Sequence, residues 1–533
     1  MRSKTSPLIV DYLNHFDRVE DFFNGDFRDP DAFRRQAEAV RARRLDRERL
    51  AEVLREQNQG YGCGPLTLQN IDKLARAETC AVVTGQQVGL FSGPLYTVYK
   101  ALTAIRLAES LERDSEGGCV PVFWLASDDH DIAEIDHVEL LDQDNRIREI
   151  RFPDYNAELR LPASDVILTR EVRACLQQLE ALTRDSEFKP EILAHLGAAY
   201  SPGRSFADAF ALWMTRIFSA YGLVFIDAAD PRLKDLGKEA FQHEIAENSP
   251  STEQALDTSK RLEQAGYPVQ VRLHKGILNL FYVEPERQAV SYRAGDFHIK
   301  GSEQPRSREG LLALAAEKPH LFSPNVLLRP VYQDMLLPTV AYVGGPGEIA
   351  YLAQMKGIYQ SFGLPMPIIY PRKNIILQEK KVEHVLDNLE LRIPDFHGRV
   401  DSLITRIFRD ELPESLCLAL AAAASHLEQD FQAIRSEIAA LDPTLEKSVE
   451  ASLGRVDREL KSLEKKALQA LMKRSSIAAD QVNKAKNCLF PRDRPQERVF
   501  NVTPFLIKYG YALVDKLYKA IDMDDCEYQI LQV

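Results

Sequence analysis

The sequence predicts an α/β protein with a Rossmann-like parallel-sheet core, connecting segments inserted into that core, and an α-helical coiled-coil domain. Three observations carry this prediction: short apolar runs alternate with amphipathic helical segments, polar stretches separate them, and heptads are confined to the last third of the chain. A chain of 533 residues is too long for one hydrophobic core, so two or three domains are expected.

The clearest α/β unit lies between residues 80 and 131. The apolar run CAVVT (80–84) predicts a buried strand, LYTVYKALTAIRLAESLE (95–112) has apolar residues at helical spacing, and VPVFWLAS (120–127) predicts the next strand. A strand, a helix and a second strand in this order form a βαβ crossover, the unit from which doubly wound sheets are built.

The same alternation returns later in the chain. LVFIDA (223–228), TVAYVGG (339–345) and MPIIYP (366–371) predict three more core strands, with helices at 206–222 and near 347–362. At least five core strands are therefore expected.

The core is predicted over 1–374, with insertions near 138–200 and 267–335. In the first insertion, VELL and RIREIRF predict strands that precede a helical stretch. In the second, the alternating VQVRLHKGILNLFYVE predicts a small antiparallel meander over about 267–302.

From about residue 375 the pattern becomes that of a helical coiled-coil domain, expected over 375–485. Heptads run on both sides of Asp442-Pro443, a pair typical of a helix start, so two antiparallel helices joined near 442 are predicted. VEHVLDNLEL (382–391) is a candidate third helix, and 486–533 is expected to return to the core. The arm is either purely structural, a dimer contact or a wall of the active site. Its apolar seam consists of Leu427, Phe431, Ile434, Ile438, Leu441, Leu445, Val449, Leu453, Val456, Leu460, Leu463 and Ala467.

Composition and charge argue against several classes of protein. The formal net charge of −12 disfavours general nucleic-acid binding, which needs a basic surface. We find neither a signal peptide nor an apolar run near the roughly 18 residues of a membrane helix. The 7 cysteines form no CxxC pair, so a reducing, cytoplasmic location is expected. The hydrolase GxSxG, zinc-protease HExxH and kinase motifs are absent from the sequence.

The first candidate site is TGQQVGLFSGP (84–94), between a predicted strand and a predicted helix. Gln86, Gln87, Ser92 and Gly93 would stand at the carboxyl end of a core strand, where open α/β sheets bind ligands. The following helix start favours an anionic group. The pattern is neither GxGxxG nor a P-loop, and a glycine-rich turn needed only for its backbone geometry is the alternative.

The second candidate site is SDDHDIAEIDH (127–137), directly after the strand that ends PVFWLA. Asp128, Asp129, His130 and Asp131 could hold an amine, supply an acid–base pair or bind a divalent metal. No strict metal-ligand motif is matched, so the metal remains open. The alternative is that the acidic residues cap a helix.

The third candidate site is LLRPVYQDMLLPTVAYVGGPGEIAY (327–351). Gln333 and Asp334 precede a predicted strand, Tyr342 lies within it, and Gly345 and Glu348 follow it at the next strand-to-helix turn. We expect these residues to contact substrate, although Glu348 would be favoured in a first helical turn whatever its function.

The fourth candidate site is KNCLFPRDRPQERVFN (486–501). Arg494, Gln496, Arg498 and Asn501 could seat a nucleotide phosphate, since guanidinium groups bind phosphate oxygens well. A solvated charged loop is the alternative.

Together these segments resemble the BshC proteins, described as cysteine ligases of bacillithiol biosynthesis. VTGQQVGLFSGPLYTVYKA, PVFWLASDDHDIAEIDHV, RPVYQDMLLPTVAYVGGPGEIAY and QER…N carry the resemblance, which covers essentially the whole chain. It implies a Rossmann-like core, a coiled coil involved in forming a homodimer, and the joining of L-cysteine to the amine of glucosaminyl-malate. The family is distantly similar to cysteinyl-tRNA synthetases, but this sequence has neither HIGH nor KMSKS; YPRKN (370–374) is only a loose positional counterpart.

The resulting hypothesis is an ATP-dependent ligation, because forming an amide from a free carboxylate is uphill in water. Gln86 and Gln87 would hold the polar substrate, while the Asp128–Asp131 cluster would orient the amine and accept its proton. Replacing Asp129 or His130 by Ala should then abolish product formation and leave the fold intact. ATP and ADP are both candidate nucleotides. Another ATP-dependent ligase or nucleotidyltransferase, or a non-catalytic coiled-coil scaffold, stays open.

Overall fold

The computed structural model describes residues 6–113, 117–153, 160–410, 412–474 and 476–533. Residues 154–159 of the first predicted insertion therefore lie outside the described residues. The chain divides into two compact units: Met1–Leu377 with Gln496–Leu531 and Val533, and Gln378–Pro495 with Gln532. The sequence places these boundaries at 374/375 and 485/486.

The strands of the described residues fall into one parallel sheet, two two-stranded sheets and one antiparallel sheet. In chain order they are β1 (Cys80–Gln86), β2 (Cys119–Leu125), β3 (His137–Leu141), β4 (Ile147–Arg151), β5 (Val224–Asp227), β6 (Ile277–Val283), β7 (Arg287–Arg293), β8 (Asp296–Ile299), β9 (Phe322–Pro324), β10 (Thr339–Gly344), β11 (Ile368–Pro371), β12 (Asn374–Gln378) and β13 (Tyr528–Gln532).

Helices cover both faces of the parallel sheet in the first unit and make up most of the second unit. In chain order they are α1 (Pro7–Asn14), α2 (Pro30–Arg41), α3 (Arg47–Gly60), α4 (Pro65–Leu74), α5 (Tyr96–Arg113), α6 (Val172–Leu182), α7 (Lys189–Ala199), α8 (Phe206–Ile217), α9 (Pro231–Leu236), α10 (Lys238–Ala246), α11 (Pro250–Gln264), α12 (Arg308–Glu317), α13 (Leu328–Leu336), α14 (Pro346–Leu352), α15 (Lys356–Ser361), α16 (Lys380–Asn388), α17 (Val400–Asp410), α18 (Glu414–Leu441), α19 (Glu446–Arg474), α20 (Ser476–Leu489), α21 (Thr503–Tyr509) and α22 (Ala512–Ala520).

The five-stranded parallel sheet confirms the Rossmann-like core. Its strand order is β11-β10-β1-β2-β5. If the five strands are numbered 1 to 5 along the chain, the order across the sheet from the β5 edge is 3-2-1-4-5. All five had been expected from their apolar runs, and β2 and β11 are buried along their whole length. Strand order reverses between β1 and β10, which is the point where sheets of this kind bind ligands.

The first insertion contains the two predicted strands, which pair with each other, and the second forms an antiparallel sheet, as predicted. Strands β3 and β4 pair as a hairpin, and the second insertion forms a four-stranded sheet in the order β8-β7-β6-β9. The prediction was wrong for 269–273, which is not a strand. The amide of Gln354 takes over the pairing there: it donates to the Val271 carbonyl at 3.1 Å and accepts from the Val271 N–H at 2.9 Å, so this backbone needs no neighbouring strand.

The second unit contains the predicted helical hairpin, formed by the antiparallel helices α18 and α19. Asp442 caps the turn between them by accepting the N–H of Thr444 at 2.9 Å. Arg435 of α18 forms ion pairs with Glu446 at 2.7 Å and Glu450 at 3.2 Å of α19. Within the described residues, no helix is long and apolar enough to cross a membrane.

Candidate active site

A cavity of about 680 Å³ lies in the first unit, at the carboxyl ends of β1, β2 and β10. It therefore occupies the point where the strand order reverses. Helices α5, α13 and α14 and the second insertion complete its walls. The lining residues are Gly85, Gln86, Gln87, Tyr96, Lys100, Trp124, Ala126, Asp128, Asp129, Phe281, Arg287, Pro324, Asn325, Val326, Arg329, Tyr342, Gly345, Gly347, Glu348, Tyr351, Arg372 and Arg498.

The two adjacent glutamines at the end of β1 both reach this cavity, but they hold different partners. Gln86 accepts a hydrogen bond from the Lys100 ammonium at 2.9 Å, while Gln87 donates to Asp129 Oδ2 at 2.7 Å. Close packing favours glycine at position 85, since a Cβ there would lie 3.0 Å from the Trp124 carbonyl oxygen. The glutamines thus connect the end of β1 to helix α5 on one side and to the acidic cluster on the other.

Ser92 and Gly93 lie outside the cavity lining, in a turn with left-handed backbone at Phe91 (φ 50°), Ser92 (φ 84°) and Gly93 (φ 67°). Asn501 holds this turn. Its buried amide donates to the carbonyls of Phe91 at 2.8 Å and Gly93 at 2.6 Å, and its Oδ1 accepts the Thr503 N–H at 2.8 Å. Every polar group of the Asn501 side chain is therefore engaged in supporting the loop.

Asp128 and Asp129 follow β2 and both line the cavity, in different surroundings. Asp128 forms an ion pair with Lys234, whose side chain is only 2% exposed. Burial lowers the pKa of Lys234, and the Asp128 carboxylate opposes that shift. Asp129 is more open, at 36% exposure, and accepts hydrogen bonds from the Gln87 amide at 2.7 Å and from the His130 N–H at 2.8 Å.

His130 and Asp131 lie outside the lining. The His130 ring stands between Arg287 and Arg160, with Nδ1 at 3.3 Å from the first guanidinium and Nε2 at 2.5 Å from the second. Burial, followed by the charges of Arg287 and Arg160, lowers the pKa of His130. Asp131 is exposed, and its backbone N–H lies 3.4 Å from Asp129 Oδ1.

Glu348, in the first turn of α14, forms the second carboxylate group of the cavity. It pairs with Lys100, accepts the Gly345 N–H at 2.9 Å and accepts the Tyr342 hydroxyl at 2.7 Å. Burial works to raise the pKa of Glu348, but these three partners outweigh burial and lower it. The Lys100 ammonium also donates to the Gly85 carbonyl at 2.8 Å, so its donors are committed to protein groups.

Gln333 and Asp334 are buried in α13 and lie outside the lining. Gln333 accepts a hydrogen bond from Arg329 at 3.0 Å, and Arg329 donates to the Tyr351 hydroxyl at 3.0 Å. Asp334 accepts the Tyr359 hydroxyl at 2.5 Å, and burial raises its pKa. Both residues therefore support the cavity wall from behind, and Arg329 is the member of this group that faces the cavity.

Arg372, directly after β11, is a buried cation in the cavity wall. Its side chain is 3% exposed and lies 3.6 Å from Glu497, which is itself fully buried. One terminal nitrogen of Arg372 has no hydrogen-bond partner among the described residues. Arg498 also lines the cavity and is exposed.

Gln496 and Arg494 of the same segment lie elsewhere. Gln496 is buried and bonds the Leu377 backbone, accepting its N–H at 2.9 Å and donating to its carbonyl at 3.1 Å. Arg494 is exposed and belongs to the second unit.

Two family models match the chain. One is described as Bacillithiol biosynthesis BshC, N-terminal Rossmann-like domain, and matches residues 1–373; the other is described as Bacillithiol biosynthesis BshC, C-terminal coiled-coil domain, and matches 375–533. The chain belongs to the BshC family. This agrees with the resemblance found in the sequence.

Curated relatives named "Putative cysteine ligase BshC" align over nearly the whole chain. The protein from Salinibacter ruber is 37% identical over 528 residues, covering 99% of this chain and 96% of the relative. That from Chlorobaculum tepidum is 35% identical, covering 97% and 94%, and that from Geobacillus thermodenitrificans is 32% identical, covering 96% and 95%.

Charged groups of both signs line the cavity of this BshC protein. Asp128 and Asp129 stand at the end of β2, whereas Arg329 and Arg372 approach from α13 and the end of β11. Carboxylates next to a cavity can hold an amine or accept its proton, and guanidinium groups bind carboxylates and phosphates. Among the described residues, no group of three or more His, Cys, Asp or Glu side chains is placed to hold a metal ion.

Several residues that line the cavity are not among the candidates predicted from the sequence. Lys100 and Tyr96 belong to a helix that read only as amphipathic, and Arg287 and Asn325 come from the second insertion. The position of Arg372 at this edge of the sheet could have been predicted from the sequence. It directly follows the predicted strand MPIIYP, and parallel strands end at the same edge as the other candidates.

Proposed function

We propose that this protein is a ligase that joins L-cysteine, through an amide bond, to the amine of glucosaminyl-malate and thereby forms bacillithiol. The observation that carries the proposal is a cavity at the switch point of the sheet whose lining contains both carboxylates and guanidinium groups. An amine and an acidic substrate both find complementary charge there. The family and the names of the relatives support the same chemistry.

The proposed reaction forms one C–N bond. The cysteine carboxyl carbon bonds to the amine nitrogen, one carboxyl oxygen leaves with the activating group, and the nitrogen loses a proton. Asp129 is the proposed acceptor of that proton because it is the more exposed of the two aspartates and lines the cavity. Asp128, fixed by Lys234, would hold the amine by its charge.

The phosphates of a bound nucleotide would find guanidinium partners in this cavity. Its role when bound would be to activate the carboxylate, which makes amide formation favourable. Arg372 and Arg498 are the proposed phosphate partners: the first has an unpartnered buried nitrogen among the described residues, and the second is exposed at the lining. ATP and ADP are the candidate nucleotides for this role.

The direct test is product formation by the purified full-length protein. Cysteine and glucosaminyl-malate are incubated with ATP, with ADP or without nucleotide, and bacillithiol is measured by mass spectrometry. We expect product only when a nucleotide is present, together with the matching nucleotide product. Absence of product with every nucleotide, in folded protein, would overturn the proposal. Product from other amines or acids instead would favour a different ATP-dependent ligase.

We also propose that the protein acts in the cytoplasm as a homodimer that pairs through α18 and α19. The support is the apolar seam of this hairpin, in which no described residue of α18 is buried and Ile434 and Leu463 are 44% and 55% exposed. Heptad seams of this kind are stable when a further helix covers them. A protein that dimerises but binds none of the small molecules would instead favour the scaffold interpretation.

A further inference from the structure

Arg287, the first residue of β7, links the second insertion to the candidate active site. It is 7% exposed and lines the cavity. One terminal nitrogen lies 3.4 Å from Asp129 Oδ1 and 3.3 Å from His130 Nδ1, and the other donates to the Pro324 carbonyl at 2.6 Å. The guanidinium carbon lies 4.2 Å from the centre of the Phe281 ring. One side chain thus joins two strands of the insertion to the loop after β2.

A second arginine completes the surroundings of His130. Arg160 approaches Nε2 at 2.5 Å, and its carbonyl accepts the backbone N–H of Arg287 at 3.1 Å. A neutral imidazole has one acceptor nitrogen and a protonated one has none. Protonation would therefore place a third cation between two guanidinium groups, whereas the carboxylates of Asp129 and Asp131 act in the opposite sense.

On the basis of the proposed function, we propose that Arg287 is a positioning residue that fixes Asp129 at the cavity wall and keeps His130 neutral. The carboxylate of Asp129, and not the imidazole, then takes the proton of the substrate amine. His130 lies outside the lining and both of its ring nitrogens face arginines. Its part is to pack against Arg287. The second insertion consequently belongs to the active site.

Lysine should replace Arg287 only in part. A guanidinium offers five N–H donors in a planar fork, and Arg287 directs them to a carboxylate, a ring nitrogen and a carbonyl. A lysine ammonium is a compact charge that keeps the electrostatic effect on His130 but loses the geometry that holds Asp129. The charge and the positioning can therefore be separated by two variants.

The experiment compares Arg287→Gln and Arg287→Lys with Arg293→Gln, which changes an exposed arginine at the other end of β7. The His130 ring is titrated by NMR and assigned with His130→Gln, and thermal unfolding confirms that each variant is folded. We expect the His130 midpoint to rise in Arg287→Gln and to stay near the wild-type value in Arg287→Lys. Product formation should fall by up to about 100-fold in both, because Asp129 is displaced, and the acid limb of activity should not follow the His130 midpoint.

Two results would overturn the inference. One is a His130 midpoint that is the same in wild type and Arg287→Gln; the other is an effect of Arg287→Gln that adds fully to that of Asp129→Asn. The titration needs no substrate, so it decides on the surroundings of His130 even if the wild-type protein forms no product. Absence of product from the wild type would count against the proposed function alone.

Discussion

At the residue scale, Asp129 and Asp131 belong to one motif but have different surroundings. Asp129 lines the cavity and is held by Gln87, whereas Asp131 is exposed outside the lining. We predict that Asp129→Asn lowers product formation by at least about 100-fold, because the proton acceptor is lost. Asp131→Asn, the matched control, should stay within about twofold of wild type. Both are measured by mass spectrometry; near-normal turnover of Asp129→Asn would remove the assigned role.

Asp227, at the end of β5, makes stability depend on pH. Burial raises its pKa to about 6, and Ser127 and the Ala229 N–H only partly oppose this. The folded state therefore binds a proton more tightly than the unfolded state, so the stability that Asp227 contributes is present at low pH and is lost as the pH rises towards 6.

We predict that Asp227→Asn stabilises the protein at pH 7.5 by up to roughly 3 kcal/mol and has little effect near pH 4. Asn keeps the oxygen that accepts from Ser127 and Ala229 and removes the buried charge. Thermal unfolding of wild type and variant across this pH range measures the effect. An equal difference at both pH values would show that the charge of Asp227 is not its cause.

Asn501 illustrates a residue whose position suggests a ligand role but whose contacts are structural. Asn501→Ala removes its hydrogen bonds to Phe91, Gly93 and Thr503, which should cost about 2–4 kcal/mol of unfolding free energy. The affinity for nucleotide of the protein that remains folded should be unchanged. Thermal unfolding and a nucleotide titration are compared with Asn388→Ala, which alters an exposed side chain. If Asn501→Ala had normal stability but no longer bound nucleotide, Asn501 would be a ligand-binding residue.

The sequence indicated which residues stand at strand ends, but not which of them face the cavity. Gln86, Asp128 and Glu348 were placed from strand position alone, since adjacent parallel strands end at one edge of the sheet. Arg287 could not be found in this way. It is brought there by packing of the second insertion, which involves contacts between residues 158 positions apart in the chain.

At the element scale, apolar periodicity identified the five core strands because buried parallel strands are nearly continuous apolar runs. It failed for 269–273 and for the helix expected near 347–362, which is divided into α14 and α15. Both differences involve Gln354, a buried residue between the two helices that bonds Val271. A side chain that replaces a strand partner leaves no periodic signal in the sequence.

The α18–α19 hairpin is the element through which we expect the protein to dimerise. Ile434 and Leu463 lie in the heptad seam and remain 44% and 55% exposed. We predict that Ile434→Glu combined with Leu463→Glu converts a dimer into a monomer, because burying two carboxylates in an apolar seam is costly. Light scattering coupled to size exclusion measures the mass. Leu66→Glu, at a 47% exposed position of α4, is the control and should leave the mass unchanged; a monomeric wild type would contradict the proposal.

At the scale of the whole molecule, the charge of the chain and that of the cavity differ in sign. The protein carries a net charge of −12, yet Arg329, Arg372 and Arg498 line a cavity at the switch point of its sheet. Anionic ligands are repelled by the average surface and attracted locally, which concentrates their binding at this place. Binding of nucleotide or acidic substrate is therefore a property that the intact protein should show without turnover.

We predict that glucosaminyl-malate together with a nucleotide raises the melting temperature more than either ligand alone. A ligand that binds only the folded state stabilises it by about 2.7 kcal/mol at a hundredfold excess over Kd. Cysteine, glucosaminyl-malate, ATP and ADP are tested singly and in combination by thermal unfolding. Arg498→Gln, which removes an exposed cation of the lining, should reduce the shift with nucleotide; Arg494→Gln, an exposed arginine outside the lining, should not.

If Arg494→Gln reduced the nucleotide-induced rise in melting temperature and Arg498→Gln did not, the nucleotide would bind outside this cavity and the cavity would bind the substrates alone. A shift with glucosaminyl-malate that needs no nucleotide, and that Arg372→Met abolishes in folded protein, would point in the same direction. The terminal nitrogen of Arg372 that has no partner among the described residues would then bind a carboxylate. If none of the four ligands changes the melting temperature, the result would argue against the ligase and for a different substrate or a scaffold, since a ligase must bind its substrates.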